Sequence, residues 1–315
     1  MKICPITYEE CGPERYSRRG LRKINPRLKS LNDFPYNAAE QRQESLLRVG
    51  KMSIQGMQPK LSARLDLKNS GFIIVDAGGR FIIKPQHADY LNLPENEDVT
   101  MRLAAIAGIK TPLHGLLHCM DGTYSYFVKR FDRVGRAGRI PLEDFAQLAG
   151  LDRETKYDYS MEKLVVLLNY CTFPAVERSK LFTRALFNFL VGNEDMHLKN
   201  FSLISIDGKV ELAPAYDFLN STLAYQELGK RIEEIEEVAL PLRGKKKRLT
   251  RDDWVKYYGA ERLGLQGQAL EMVLSVFQKA IPQWKALIDV SFLSAHQKEL
   301  YLRLIDRRSQ ALLLI

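Results

Sequence analysis

The stretch Val191-Gly192-Asn193-Glu194-Asp195-Met196-His197-Leu198-Lys199-Asn200-Phe201 constrains this chain most. It sets six polar or charged side chains between two apolar runs. Leu181 to Leu190 reads as a buried helix and Phe201 to Ile206 as a strand. A polar cluster squeezed between core elements is costly to bury unless it does chemistry.

Composition narrows the setting. The chain has 315 residues and 45% hydrophobic content, enough for more than one lobe. Its formal charge of +9 permits an acidic or nucleic-acid partner without requiring one. Cys4, Cys11, Cys119 and Cys171 are scattered and show no CxxC spacing, which fits a reducing cytoplasm. No run reaches the roughly 20 apolar residues of a membrane span. Residues 1 to 30 have no apolar core of the kind a signal peptide needs.

The polar stretch has a chemistry that suits it. Asp195 and Asn200 stand five apart, the Asp-x-x-x-x-Asn spacing of a kinase catalytic loop. A hairpin follows, Phe201 to Ile206 and Val210 to Leu212 about the Asp207-Gly208 turn. Beyond it Asp217 stands twenty-two residues after Asp195, where kinases carry a metal-binding Asp. The DFG glycine is replaced by Leu219. Upstream, Gly71 to Val75 and Arg80 to Lys84 read as a hairpin, and Lys84 ends the second strand. It is either a phosphate-contacting lysine or one that snorkels from the strand end. A helix from Pro94 to Gly108 carries Glu97 in its first turn, thirteen residues after Lys84. Glu97 either complements the helix dipole or orients Lys84.

Other features have weaker claims. Residues 1 to about 50 are the least structured by pattern. There Arg15, Arg18, Arg19, Arg22, Lys23, Arg27 and Lys29 form either a docking arm for a partner or nucleic acid, or a solvated face. Ser53-Ile54-Gln55-Gly56 offers a turn whose backbone can meet phosphate, or an ordinary hairpin turn. Gly115 to Met120 and Thr123 to Phe131 form a hairpin about Asp121-Gly122. His114, His118 and Cys119 lie on it but lack an acidic fourth ligand, which argues against a metal. Lys245 to Arg248 is a basic run that fits a docking patch or a solvated loop. Glu143 to Ala149, Met161 to Asn169 and Ala175 to Leu190 read as helices, as does the chain from Asp252 onward. Trp254, Phe277, Trp284 and Phe292 are expected to cover that helical lobe.

The ordered motifs resemble the HipA family of bacterial serine/threonine kinases. They are Ser53-Ile54-Gln55-Gly56-Met57-Gln58-Pro59-Lys60, Ile82-Ile83-Lys84, Asn96-Glu97, Arg130-Phe131-Asp132-Arg133, Gly192 to Ser202 and Tyr216-Asp217. The Asp-x-His-x-Lys-Asn-Phe-Ser stretch is the most specific. The short N-terminus and Met52 to Lys60 look like HipT, the kinase of three-gene HipBST toxin–antitoxin systems, in which the small domain missing here is the separate protein HipS. Some HipT loops read Ser-Ile-Ser; here Gln55 replaces the second serine, leaving Ser53 as the one autophosphorylation site of that kind.

The resemblance implies an α/β (α+β), two-lobed HipA-like kinase fold. A basic arm over 1–50 would pack on the core, a β-rich N-lobe would span 51–130 and a helical C-lobe 131–315. It implies ATP and Mg²⁺ as cofactors. Ser53, Ile54, Gln55, Gly56, Met57, Gln58, Pro59 and Lys60 would cover the phosphates, with Lys84 contacting them and Glu97 orienting Lys84. Lys129, Arg130 and Phe131 would form the adenine-side hinge, mainly through backbone. Asp195 would be the catalytic base, His197 and Lys199 would line the site, and Asn200 and Asp217 would hold magnesium. The implied partners are a HipS-like and a DNA-binding HipB-like antitoxin. Nucleic acid would be met only through the basic arm or within an antitoxin complex, and no membrane is involved. The implied substrate is an aminoacyl-tRNA synthetase, tryptophanyl first, in the bacterial cytoplasm. The rivals are an effector kinase exported to a host cell, a small-molecule kinase, and a silent pseudokinase that binds nucleotide or antitoxin.

Overall fold

The computed structural model describes residues 2–48, 58–135, 138–152 and 154–315. The chain divides into a first unit, Met1–Val99, Pro112–Ala137 and Val290–Ser294, and a second, Thr100–Thr111, Gly138–Asp289 and Ala295–Ile315. The division departs from a single cut at 130 in giving Thr100–Thr111 to the second unit, and residues 131–137 and Val290–Ser294 to the first.

The opening residues are more ordered than their pattern suggested. Strands β1 (Lys2–Ile3) and β2 (Glu10–Gly12) form an antiparallel ribbon. Helix α1 (Arg18–Ile24) starts at Ser17, whose hydroxyl accepts from the Gly20 N–H. Helix α2 (Ala38–Leu47) starts with a capping box between Asn37 and Glu40. Gly20, Leu21 and Ile24 face inward while Arg18, Arg19, Arg22 and Lys23 face water, so the charge run is the outer side of an anchored helix. Arg15 pairs with Asp33 and Arg19 with Glu9.

The first unit's sheet runs β4-β3-β5-β7-β6, with β3 Leu61–Asp66, β4 Gly71–Ile74, β5 Phe81–Lys84, β6 His114–His118 and β7 Tyr124–Lys129. All neighbours are antiparallel. The expected hairpin of residues 71–75 with 80–84 does not form. β3 lies between these strands, and the chain crosses its end, with Val75 N–H on Ser62 O and Arg80 N–H on Ala63 O. Gly79 makes that crossing possible, because a Cβ there would sit 1.9 Å from the Ser62 hydroxyl. Leu61, Ala63, Phe72, Phe81, Ile83 and Phe127 from the sheet pack with Ile6, Leu21, Ile24 and Phe34 from the opening residues. Phe292 packs edge-on against Tyr8 and Tyr124, so it belongs to the first unit and not to the helical one.

Helix α3 (Leu93–Ile106) ends where Gly108 takes φ +74°. Short strands β8 (Arg133–Val134) and β9 (Gly138–Arg139) follow β7. The second unit is mostly helical. It holds α4 (Phe145–Leu148), α5 (Met161–Leu167), α6 (Pro174–Val191), α7 (Ser221–Glu227), a wide helical stretch Asp252–Arg262, α8 (Gly267–Asp289) and α9 (Ala295–Ala311). A three-stranded sheet joins β10 (Leu142–Asp144), β11 (Ser202–Ile206) and β12 (Lys209–Leu212). The residues expected to start a helix at Glu143 instead form β10. Asp144 is the N-cap of α4 and shares a capping box with Gln147, so the helix cannot begin earlier.

Helix α6 is the second unit's buried axis. Pro174 suits its first turn, and Leu181, Phe182, Leu186, Phe189 and Leu190 are enclosed. Trp284 packs edge-on against Phe187, and its indole N–H reaches Leu103 O at 2.9 Å. The helix stops at Gly192, φ +72°, where a Cβ would meet the Leu304 side chain at 2.4 Å. That stop sets where the polar stretch begins.

Candidate active site

From Gly192 the chain makes one tight turn into β11. Asn193 closes it, with its N–H on Asn188 O at 2.9 Å and its side-chain amide on Asn188 Oδ1 at 2.8 Å. Met196, Leu198 and Phe201 are buried, while Asp195 is exposed and Lys199 and Asn200 half-buried. The burial cost expected for this cluster is met in part: apolar members anchor the turn and Asp195 faces water, while Asn193 and His197 are buried and Glu194 is partly so. His197 N–H donates to Asp195 O at 2.8 Å, Asn200 N–H to His197 O at 3.0 Å, and the Asn200 amide to Asp195 O at 3.2 Å. The turn thus fixes Asp195 and Asn200 against each other. With its NH₂ used that way, the Asn200 side chain offers oxygen as its remaining donor to a metal. Lys199 pairs with Asp144 at 3.0 Å, tying the turn to the start of α4.

Asp217 lies beyond the β11–β12 hairpin and has φ +56°, the left-handed region that an Asp tolerates better than most residues. Its neighbours hold it there. The Tyr216 hydroxyl bonds Lys199 O at 3.0 Å and Ser202 Oγ at 2.5 Å, and Phe218 packs on Phe187 at 5.0 Å between ring centroids. Asp217 is close enough for its charge to act on the His197 ring. A carboxylate and an amide oxygen are hard donors of the kind Mg²⁺ takes beside phosphate oxygens and water, so Asn200 and Asp217 fit that ion.

A surface loop between α4 and α5 touches this turn. Asp152 accepts from the N–H groups of Glu154 and Thr155, which builds the loop locally. Leu198 N–H donates to Lys156 O, and Lys156 Nζ donates to His197 Nε2 at 2.7 Å. The next residue, Tyr157, donates its hydroxyl to Asp195 Oδ1. Burial pulls His197 below the usual imidazole range, so the ring is neutral and accepts from the ammonium. Burial, reinforced by the bond to Asp195, raises the Tyr157 phenol above its usual range and keeps it a donor. Glu194 is pushed up to about 7, first by burial and then by the Asp195 charge; its N–H donates to Ser221 Oγ at 3.0 Å.

In the first unit, Lys84 Nζ meets Glu97 Oε1 at 2.6 Å, and both side chains are enclosed. The lysine is thus enclosed at its strand end rather than snorkelling, and Glu97 is its ion-pair partner. Lys84 also lies 5.6 Å from the centroid of the Tyr126 ring, its cross-strand neighbour. Lys129 N–H donates to Leu113 O and Arg130 N–H to Arg80 O. The Arg130 and Arg133 side chains both pair with Asp132. Lys60 is tied by its backbone to the Ser45 hydroxyl, and Gln58 and Pro59 are half-buried beside it. Ser53, Ile54, Gln55, Gly56 and Met57 lie outside the described residues.

The alternative sites have ordinary partners. His114 bonds Asp98 at 2.8 Å, and Cys119 bonds Ser125 and Gln41. Among the described residues no group of three His, Cys, Asp or Glu is placed to hold a metal. Lys245 pairs with Asp253, Lys246 with Glu236, and Lys247 caps Glu234 O, so that run is held within its own unit. Among the described residues no helix is long and apolar enough to cross a membrane. Sequence reasoning missed Lys156 and Tyr157, whose only local signal is an Asp-led turn, and the role of Tyr216 in seating Asp217.

Residues 52–284 match the family model described as the HipA-like C-terminal domain. A candidate kinase of Haemophilus influenzae is 28% identical over 291 residues, covering 85% of this chain and 82% of that protein. The serine/threonine-protein kinase toxin HipA of Shewanella oneidensis is 29% identical over 191 residues, 54% of this chain and 43% of that one. A structure of Shewanella oneidensis HipA with HipB and operator DNA superposes with TM-score 0.67 at 22% identity, covering 90% of this chain and 73% of that one. The fold is therefore the mixed α/β, two-lobed one that the motif order implied.

Proposed function

The chain belongs to the HipA-like family, and on that footing we propose that it is an ATP-dependent serine/threonine protein kinase acting as the toxin of a HipBST-like toxin–antitoxin system. The observation that carries this reading is the Asp195–Asn200 turn with Asp217 seated beside it by Tyr216. The enclosed Lys84–Glu97 pair supports it from the other unit.

In this reading Asp195 accepts the proton of a serine or threonine hydroxyl. The hydroxyl oxygen bonds to the γ-phosphorus, the bond to the bridging oxygen breaks, and ADP leaves. Lys84 holds phosphate oxygens, and Glu97 keeps its ammonium charged and aimed. Asn200 and Asp217 hold magnesium, which when bound offsets charge on the phosphates. Lys129, Arg130 and Phe131 seat the adenine, and residues 53–60 cover the phosphates. Phosphorylated Ser53 would add about −2 charge there and repel nucleotide phosphates.

The same reading gives the chain HipS-like and HipB-like antitoxins as partners and a cytoplasmic place of action. Its substrate is an aminoacyl-tRNA synthetase, tryptophanyl first. Brief expression in a bacterium followed by phosphopeptide mass spectrometry tests it. A phosphoserine or phosphothreonine on a synthetase, absent with Asp195→Asn, is expected. Phosphopeptides identical in the two strains would contradict it.

A further inference from the structure

In the proposed mechanism the substrate approaches Asp195 with a hydroxyl that donates to the carboxylate. A hydroxyl already does so, that of Tyr157. Its loop is built locally on Asp152, and its described residues meet the turn at several points. These are Lys156 O on Leu198 N–H, Lys156 Nζ on His197 Nε2, the edge of the Tyr157 ring on His197 at 5.1 Å, and the hydroxyl itself. Tyr157 is 39% exposed, so this is a surface contact that can be exchanged and not a core one. The backbone of Asp195 is fixed separately by His197 and Asn200.

We infer that Tyr157 stands in for the acceptor: its hydroxyl occupies the place on Asp195 that the substrate's hydroxyl must take, and it selects for substrates able to displace it. The inference rests on Asp195 being the base. A hydrogen bond to a charged carboxylate is stronger than one between neutral groups, so a weak acceptor such as water is excluded while a well-docked protein hydroxyl is not. Lys156 sits 4.9 Å from the centroid of the Tyr157 ring and bonds His197, so the loop is displaced as a piece.

The test is phosphate release from magnesium-ATP by the full chain with no protein acceptor, water being the acceptor. Tyr157→Phe keeps the ring on His197 and removes only the hydroxyl. Release is expected to rise at least about tenfold, the low end of what a charge-assisted hydrogen bond supplies, with an unchanged melting temperature. Unchanged or slower release in Tyr157→Phe would overturn the inference, slower release marking Tyr157 as a residue that positions Asp195. Adding Asp195→Asn should abolish release in both backgrounds. If it does not, the base assignment itself fails, and the inference falls with it.

Discussion

Lys84 and Glu97 face each other at 2.6 Å with side chains only 4% and 3% exposed. Neither charge has water to fall back on. Lys84→Ala leaves a buried carboxylate without its ammonium, which costs about 3–5 kcal/mol. The double variant Lys84→Met, Glu97→Leu removes both charges and should recover most of that loss in a thermal melt. It should not recover phosphoryl transfer. A double variant as unstable as Lys84→Ala would mean that the pair is not the source of the cost.

Asp217 pairs a left-handed backbone with a proposed metal role. Asparagine tolerates the same backbone, so Asp217→Asn should melt close to wild type. It should lose more than about a hundredfold in transfer, because the charge that holds magnesium is gone. Chelation with EDTA should silence the wild type, and added magnesium should restore it. Transfer in Asp217→Asn within a few-fold of wild type would remove Asp217 from the metal site.

Gly192 is required twice, by φ +72° and by the Leu304 side chain 2.4 Å from where a Cβ would go. Gly192→Ala should cost at least about 1–3 kcal/mol. Leu304→Ala in the same chain relieves the closest contact but neither the Thr222 hydroxyl at 2.9 Å nor the backbone strain, so the double variant should fall short of additive loss. Strict additivity in chemical unfolding would show that the two residues do not meet.

Glu194 gives a pH signature. An unfolded glutamate titrates near 4.3, whereas burial and the Asp195 charge raise Glu194 to about 7. The folded state therefore favours the protonated form. Its contribution is full below about pH 4.3 and is lost as pH rises through about 7. Glu194→Gln should be more stable than wild type at pH 8, by up to about 3 kcal/mol, and the gap should close toward pH 5. Melts at both pH values check the sign; a gap that widens on acidification contradicts it.

What was legible followed local chemistry. The hairpin of Phe201 to Leu212 and the long helix before Gly192 are written in periodicity and turn residues. The turn proposed as catalytic is marked by its Asp–Asn spacing. The strand order about β3 was hidden, since β4 and β5 have the pattern of a hairpin although β3 lies between them. β10 was hidden because Glu143 and the Asp144 cap read as the start of the helix that follows. Tyr157 was invisible because its contact with Asp195 spans 38 positions and leaves no mark on either neighbourhood.

The most direct test of the central claim is transfer of labelled γ-phosphate from ATP to protein by the purified chain. With magnesium present, wild type should label itself or a protein of a bacterial lysate on serine or threonine. Asp195→Asn, equally folded, should label nothing. Equal labelling by both proteins, or none by wild type on itself or on any lysate protein, would contradict the account.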